Sequence, residues 1–360
     1  MSRLERVLVI PAAGQSSRYG LNRPKFLLQH PMGGTMLEHA ILGLRNLTSA
    51  NVDRIVVITL SSHFIDIDID AITSRLTSRT GIPVEFYFLE EPTRSVVDTI
   101  SAYLHGQSTD QELLIKDSDN FVDIDLAELS QFDNAMAYAS LKEFPSVVAH
   151  NKSFLEMGLG ETIFNIVEKQ IISDRISVGL TKFATSSDFL HASMSLGAVS
   201  NETYISDLVR ALLSQGVNFN SIKARGYEDW GTLEDWLGYI GKFQTLFIDV
   251  DGVVSENMSP IKANSNWSDF TPIDKNIDAL LEMQNQGKTQ LIFVTARGED
   301  FRSKLEASLR EQGFSSFQLI MGLMHAKRIL VNDFAVTNPY PSAQAVNIPR
   351  NSGDLRSYLN

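Results

Sequence analysis

A chain of 360 residues exceeds the length over which a single core usually keeps growing, and roughly 100–200 residues per domain predicts two or three domains. Its 43% hydrophobic content suffices for ordinary globular cores, and the absence of cysteine excludes disulfides, thiolate metal sites and cysteine nucleophiles. A formal charge of −12 argues against a general nucleic-acid binder, whose affinity comes from clustered Lys and Arg, but a few local cations still permit a small anionic partner.

In chain order, the apolar run VLVIPA predicts a buried strand, followed by the helical pattern TMLEHAILGLRNL. Next come the strand RIVVITL and a polar helix, with SSHFIDIDIDAI read as a solvated loop or helix start, then the strand VEFYFLE, the helix RSVVDTISAYL and the strand ELLIKDSDN. This alternation predicts right-handed βαβ units around a mostly parallel sheet, with ligands at the carboxyl ends of the strands. From about 134 to 223 the pattern changes to the strands AMAYASLK, TIFNIVEK and RISVGLTKFA, the helix YISDLVRALLSQG and the strand VNFNSIKA, a mixed layer expected to cover the sheet edge and shape an acceptor pocket. A helix over about 232–243 leads into TLFIDVDG, which places a domain boundary near Lys242 and gives domains 1–242 and 243–360. The second domain is predicted to contain the helix IDKNIDALLEMQNQG, the strand QLIFVTA, the helix EDFRSKLEASLREQG, the strands FQLIM, RILVNDFA and QAVNIP, and the helix SGDLRSYL. The start RLERVLVIPAAGQS has the outline of a secretory leader, but its apolar run is at or below the roughly 7–15 residues of such a segment. No run approaches the roughly 18 apolar residues that span a bilayer. A cytoplasmic protein with no membrane partner and no nucleic-acid partner is expected, and homo-oligomerisation is left open.

Two stretches carry phosphate chemistry. In VLVIPAAGQSSRYGLNRPKFLLQ a small-residue turn follows the first strand, so the backbone N–H groups around Gly14, Ser16 and Ser17 can approach a triphosphate. Arg18 can fork onto the β and γ phosphates, and Lys25 can sit as a point charge near the α phosphate, where charge changes during transfer. In TLFIDVDGVVSEN two aspartates separated by one residue end a strand, so that Asp249 can attack phosphorus in line while Asp251 acts as general acid and base at the leaving oxygen.

Residues 11–25 resemble the AAGxGxRxxxxxPK signature of nucleotide-diphospho-sugar pyrophosphorylases, with Ser16 in place of a glycine, and QHPMGGTMLEHAI resembles the segment that follows it. The resemblance implies a Rossmann-like nucleotidyltransferase domain with a mixed sheet, an NTP held by Ala13, Gly14, Gln15, Ser16 and Ser17, and a small phosphorylated metabolite as acceptor. LLIKDSDNFVD resembles the strand ending in a metal-binding aspartate, matched to Asp119 with Asp117 as its rival, and RGYEDWGTLEDW supplies the second, Asp229. NIVEKQIISDRISVGLTKF resembles the acceptor-binding stretch and implies roles for Glu168, Lys169 and Gly179, although Gln170 replaces the usual proline. EEPTRSVVDT implies base contacts from Arg94 and Ser95. Two carboxylates from distant loops suit one Mg²⁺ bridging the phosphates, and an acceptor phosphate already ionised needs no strong general base. PAAG, RPK and LEHAI also resemble methylerythritol cytidylyltransferases, so cytidylyl transfer to a polyol or choline phosphate, beside a degenerate second domain kept as a scaffold, is the alternative, and a nucleotide-binding sensor without turnover is a third reading.

DVDGVV resembles the first motif of haloacid-dehalogenase-like phosphatases and implies a small capless α/β domain. The family pattern implies that Thr295 holds the phosphoryl group, that Lys327 stabilises a phosphoaspartate at Asp249, and that Asp249, Asp251 and Asp333, with the Val250 carbonyl, bind a second Mg²⁺. Asn332 stands where a second acidic residue is common, and His325 is read as a packing or capping residue. Together these resemblances predict a bifunctional enzyme of nucleotide-sugar biosynthesis, of the kind that supplies surface polysaccharide or capsule precursors. In it a phosphatase removes one phosphate from a bisphosphate and the transferase activates the remaining 1-phosphate.

Overall fold

The computed structural model describes residues 3–14, 24–65, 67–145, 147–197, 202–257, 267, 269–332 and 343–359. The chain divides into two compact units, Met1–Ile240 and Gly241–Asn360.

The first unit is built in chain order from β1 (Glu5–Pro11), α1 (Met36–Leu42), β2 (Leu44–Arg45), β3 (Arg54–Leu60), α2 (Ile69–Thr80), β4 (Val84–Leu89), α3 (Val96–His105), β5 (Gln111–Lys116) and β6 (Asn120–Asp125). It continues with α4 (Leu126–Leu129), β7 (Ala135–Ser140), β8 (Ser153–Met157), β9 (Thr162–Glu168), β10 (Arg175–Phe183), α5 (Ser186–Leu196), α6 (Ile205–Ser214), β11 (Phe219–Lys223), β12 (Gly226–Asp229) and α7 (Leu233–Ile240). A nine-stranded sheet has the order β4-β3-β1-β5-β10-β7-β11-β9-β8. The β4, β3, β1 and β5 strands run parallel, and β10 then pairs antiparallel with β5, so the sheet is mixed.

The apolar run of β1 explains its central place. Leu8 and Ile10 enter the core on one face, Val7 and Val9 the core on the other, and none of the four is exposed to solvent. Each such side chain contributes about 1.5–3 kcal/mol of burial, so a polar residue at any of them would weaken the sheet at its centre. Several helices begin where a short polar side chain satisfies a free backbone donor. Thr35 accepts from the Glu38 N–H at 3.3 Å to open α1, and Thr185 accepts from Asp188 at 3.0 Å to open α5. The SSHFIDIDIDAI segment enters α2, which Asp68 caps by accepting the Ala71 N–H at 2.9 Å.

A second, three-stranded sheet of order β12-β6-β2 was not foreseen from sequence. It matters most for function, because β12 pairs antiparallel with β6 in a register that sets Asp229 opposite Asn120. Next to it, the His30 and His39 rings stack with centroids 3.4 Å apart, and His30 also packs near Trp230, Trp236 and Tyr239. Burial, reinforced by His39, lowers the His30 pKa from 6.5 to about 4. The folded ring therefore stays neutral where the unfolded chain would take up a proton. Its stabilising contribution is full above pH 6.5 and is lost as pH falls toward about 4. Urea unfolding across that range should show declining stability, and His30→Gln should flatten the decline.

The second unit contains β13 (Gln244–Asp249), α8 (Asp274–Asn285), β14 (Thr289–Val294), α9 (Arg302–Glu311), β15 (Gln318–Ile320) and α10 (Arg356–Leu359). Its sheet has the order β13-β14-β15, all parallel. Two strand expectations fail among the described residues. Residues 328–332 of RILVNDFA and residues 343–349, which include QAVNIP, form none. Ile329, Leu330 and Val331 are 74%, 61% and 88% exposed. An apolar run of this length favours extended backbone, but a strand exists only where a neighbour completes its ladder, and none does so here.

Candidate active site

The carboxyl end of β1 delivers Ala12 and Ala13, both buried, and then Gly14, where a Cβ would meet nothing within 4 Å. Gln15, Ser16, Ser17 and Arg18 lie outside the described residues. The chain is described again from Pro24, whose extended backbone leads into a one-turn helix over Lys25–Leu27 anchored by buried Phe26. That turn sends the Lys25 ammonium to Asp119, with the Gly231 carbonyl at 3.5 Å.

Asp119 is held by a turn wrapped around a buried cation. Lys116, the last residue of β5, is fully buried, and its ammonium donates to the carbonyls of Asp117 at 2.7 Å and Asn120 at 3.1 Å and to the Asn120 side-chain oxygen. Burial brings the Lys116 pKa down to about 8, against the pull of Asp117 and Asp119.

The two rival aspartates turn to different neighbours. The Asp117 N–H donates to the Gly179 carbonyl at 2.8 Å, and its carboxylate occupies the space that a Cβ on Gly179 would need. Burial, with help from Asp119, raises the Asp117 pKa. Burial also acts to raise that of Asp119, but Lys25 and then Lys152 and Lys116 hold it below the ordinary carboxylate range.

Asp229 completes the arrangement. A Cβ built on Gly231 would lie 3.3 Å from one Asp229 oxygen and 3.9 Å from one Asp119 oxygen, so both carboxylates face one spot. The Trp230 N–H donates to the Asp119 carbonyl at 3.0 Å and ties the two loops together. Lys152, which no motif singled out, reaches Asp229 at 2.5 Å and donates to the Tyr227 hydroxyl at 2.9 Å. Burial opposes the charge on Lys152, but Tyr227 and Asp229 outweigh it and raise its pKa. No sequence pattern marks this lysine, because its partner is far away along the chain.

The remaining predicted residues of this unit turn elsewhere. Glu168 accepts from the hydroxyls of Ser153 and of Ser206, the latter at 2.8 Å. Lys169 has a left-handed backbone with φ 54°, and its ammonium donates to the Tyr204 hydroxyl at 2.5 Å. Ser95 caps α3 by accepting the Asp98 N–H at 3.1 Å and is buried, while Arg94 is exposed beside Asp98. The base contact expected of Ser95 thus competes with a helix cap.

In the second unit, parallel pairing sets Asp249 opposite Val294, so Thr295 follows directly at the same sheet end. The Thr295 hydroxyl donates to Asp251 at 3.0 Å. Arg297 is 1% exposed and grips the same carboxylate, its nearest nitrogen at 2.7 Å, while donating to the carbonyls of Trp267 and Asp269. Asp249 is raised by burial against the pull of Arg328, which stands 3.3 Å away. The cation seen at Asp249 is therefore Arg328 and not the expected Lys327. Asp333 lies outside the described residues. Truncating Arg297 would leave Asp251 charged without its main partner, so Arg297→Met is expected to destabilise the second unit by about 3–5 kcal/mol, read from urea unfolding of the full chain.

With the geometry in place, comparison with known proteins is informative about the first unit. No family model matches the chain, and no curated protein matches it. Among solved structures, a nucleoside-diphosphate-sugar pyrophosphorylase from Vibrio cholerae RC9 superposes with a TM-score of 0.55 at 21% identity, covering 64% of this chain and 98% of that one. The inositol-1-phosphate CTP transferase from T. maritima gives a TM-score of 0.50 at 10% identity, covering 65% of this chain and 93% of that one. Over that share the chain has their fold. The matched share of this chain corresponds in size to Met1–Ile240.

Asp119 and Asp229 offer only carboxylate oxygens, a donor set that suits a hard divalent ion such as Mg²⁺. No group of three or more His, Asp or Glu among the described residues could hold a metal by itself. Two carboxylates completed by substrate phosphates is how such an ion is commonly bound. No described helix is long and apolar enough to cross a membrane.

Proposed function

We propose that residues 1–240 catalyse divalent-cation-dependent nucleotidyl transfer from an NTP to a phosphomonoester of the sugar 1-phosphate class, releasing pyrophosphate. The observation that carries this reading is the meeting of Asp119 and Asp229 at Gly231, beside Lys25, on the fold of a nucleoside-diphosphate-sugar pyrophosphorylase. When bound between these carboxylates, Mg²⁺ would neutralise charge on the phosphates. Lys25 would stabilise charge on the α phosphate, and the buried Lys116, bonded to the Asn120 carbonyl, would keep the Asp119 turn in shape. An acceptor phosphate oxygen, already ionised, attacks the α phosphorus as pyrophosphate leaves, so the protein supplies position and charge.

The test is pyrophosphate release with Mg²⁺ for each NTP in turn, against sugar 1-phosphates, inositol 1-phosphate and polyol phosphates. Release with one NTP and one acceptor names both. Tight NTP binding with no release under any acceptor would replace this reading with a sensor.

For residues 241–360 we propose phosphomonoester hydrolysis through an aspartyl phosphate on Asp249. Asp249, Asp251 and Thr295 gathered at one end of two parallel strands support it. Asp251 would donate the proton to the leaving oxygen, which requires the Arg297 grip to loosen. A bisphosphate dephosphorylated to the transferase's acceptor would join the two activities. An inert second unit alongside an active first one would refute the phosphatase.

A further inference from the structure

We infer that Lys152 is the phosphate-binding cation of the acceptor subsite, held on Asp229 in the cation-free protein and released from it when a divalent ion binds there. The inference rests on the nucleotidyl-transfer reading of the same site and moves to Lys152 the acceptor contact that the family resemblance implies for Lys169.

The two lysines are neighbours across the β8–β9 hairpin, where the Lys169 N–H donates to the Lys152 carbonyl at 2.9 Å. Their side chains have different surroundings. Lys169, in the left-handed region, lays its ammonium over the Tyr204 ring at 4.4 Å and is largely exposed. Lys152 has a side chain only 15% exposed, and Asp229 and the Tyr227 hydroxyl account for two of its three donors.

Charge counting then favours an anion. Asp117, Asp119 and Asp229 are matched by Lys25, Lys116 and Lys152, so these six groups carry no net charge in the cation-free site. A divalent ion on Asp119 and Asp229 weakens both lysine ion pairs and leaves a surplus of two positive charges in a half-buried place. Phosphate oxygens of the NTP and of the acceptor phosphomonoester would offset that surplus, and the four-carbon stem of Lys152 lets its ammonium turn from the carboxylate to the acceptor phosphate. Lys25 and Lys152 would then serve the two phosphates joined by the reaction, one each.

Lysine acetylation of the full chain by limiting sulfo-N-hydroxysuccinimide acetate, read by peptide mass spectrometry, tests this without turnover. Lys142, whose side chain is 81% exposed, serves as internal reference. Labelling of Lys152 should rise several-fold with Mg²⁺ and fall back when inorganic phosphate is added with Mg²⁺, whereas phosphate alone should change nothing. Calorimetry of Mg²⁺ binding accompanies it. Cation binding that leaves Lys152 labelling unchanged, or a rise that phosphate does not reverse, overturns the inference alone. Where Mg²⁺ binds only together with an NTP the labelling is read with both present, and absence of cation binding under both conditions overturns the transferase reading with it. In turnover with a responsive acceptor, Lys152→Arg should raise the KM for acceptor at least tenfold and leave that for NTP unchanged. Equal effects on both would also overturn the assignment, and Lys169→Met should have the smaller effect.

Discussion

Asp229→Ala is expected to abolish pyrophosphate release and to destabilise the first unit as well, whereas Asp229→Asn should lose the activity and keep most of the stability. The carboxylate has two duties. It faces the spot shared with Asp119, and it neutralises Lys152, whose side chain is 15% exposed. Removing it strands a largely buried ammonium, which costs about 3–5 kcal/mol. Asparagine retains an oxygen that can accept from Lys152 but lacks the charge needed to hold a divalent ion. The activity loss should reach at least about 100-fold, the scale on which a group that stabilises transition-state charge acts. Urea unfolding beside pyrophosphate assay separates the two duties. An alanine variant as stable as wild type would show that the Lys152–Asp229 pair contributes nothing to folding.

The second large effect is expected at Gly179→Ala, by a different mechanism. Gly179 has φ +70°, a backbone conformation that strains any residue with a Cβ. The added methyl would also lie 2.1 Å from an Asp117 oxygen and 2.8 Å from the Asn120 amide nitrogen. Neither neighbour is free to retreat. The Asp117 N–H is bonded to the Gly179 carbonyl, and the turn that carries both Asp117 and Asn120 is wrapped on the Lys116 ammonium. Backbone strain and overpacking together predict a loss of about 2–5 kcal/mol in urea unfolding. Asp117→Ala should restore part of it in the double variant, giving a coupling that simple addition would not predict. A Gly179→Ala protein of wild-type stability would contradict the crowding. Gly179 was expected to meet the acceptor, but the structure shows it making room for a carboxylate two residues from Asp119.

How much was legible depends on the range of the interactions involved. The β1, β3, β4 and β5 strands and the helices between them were readable because local periodicity encodes burial: an unbroken VLVI run demands cover on both faces, and it has it. The α5 helix was missed because SSDFLHASMSL offers a cap but only a weak apolar stripe, and its place is decided by packing with α3 and α6. RILV was read as a strand on the same local grounds and is exposed coil, since extended preference without a ladder partner does not make a strand.

By itself the sequence determined which acidic residues end their strands. Asp117 and Asp119 follow a buried β-run and Asp249 closes TLFID, each because an apolar run stops where polar residues begin, whereas Asp229 was marked only by the family resemblance of RGYEDWG. It could not decide which of these carboxylates meet, which cations answer them, or which of two aspartates in one turn faces the shared spot. Those were settled by the antiparallel register of β12 on β6, by Lys152 arriving from far up the chain, and by Gly179 admitting Asp117 against β10. Side-chain periodicity reports whether a residue is buried. Ion pairs and metal sites depend on ångström distances between segments remote in sequence, and only the folded backbone fixes those distances.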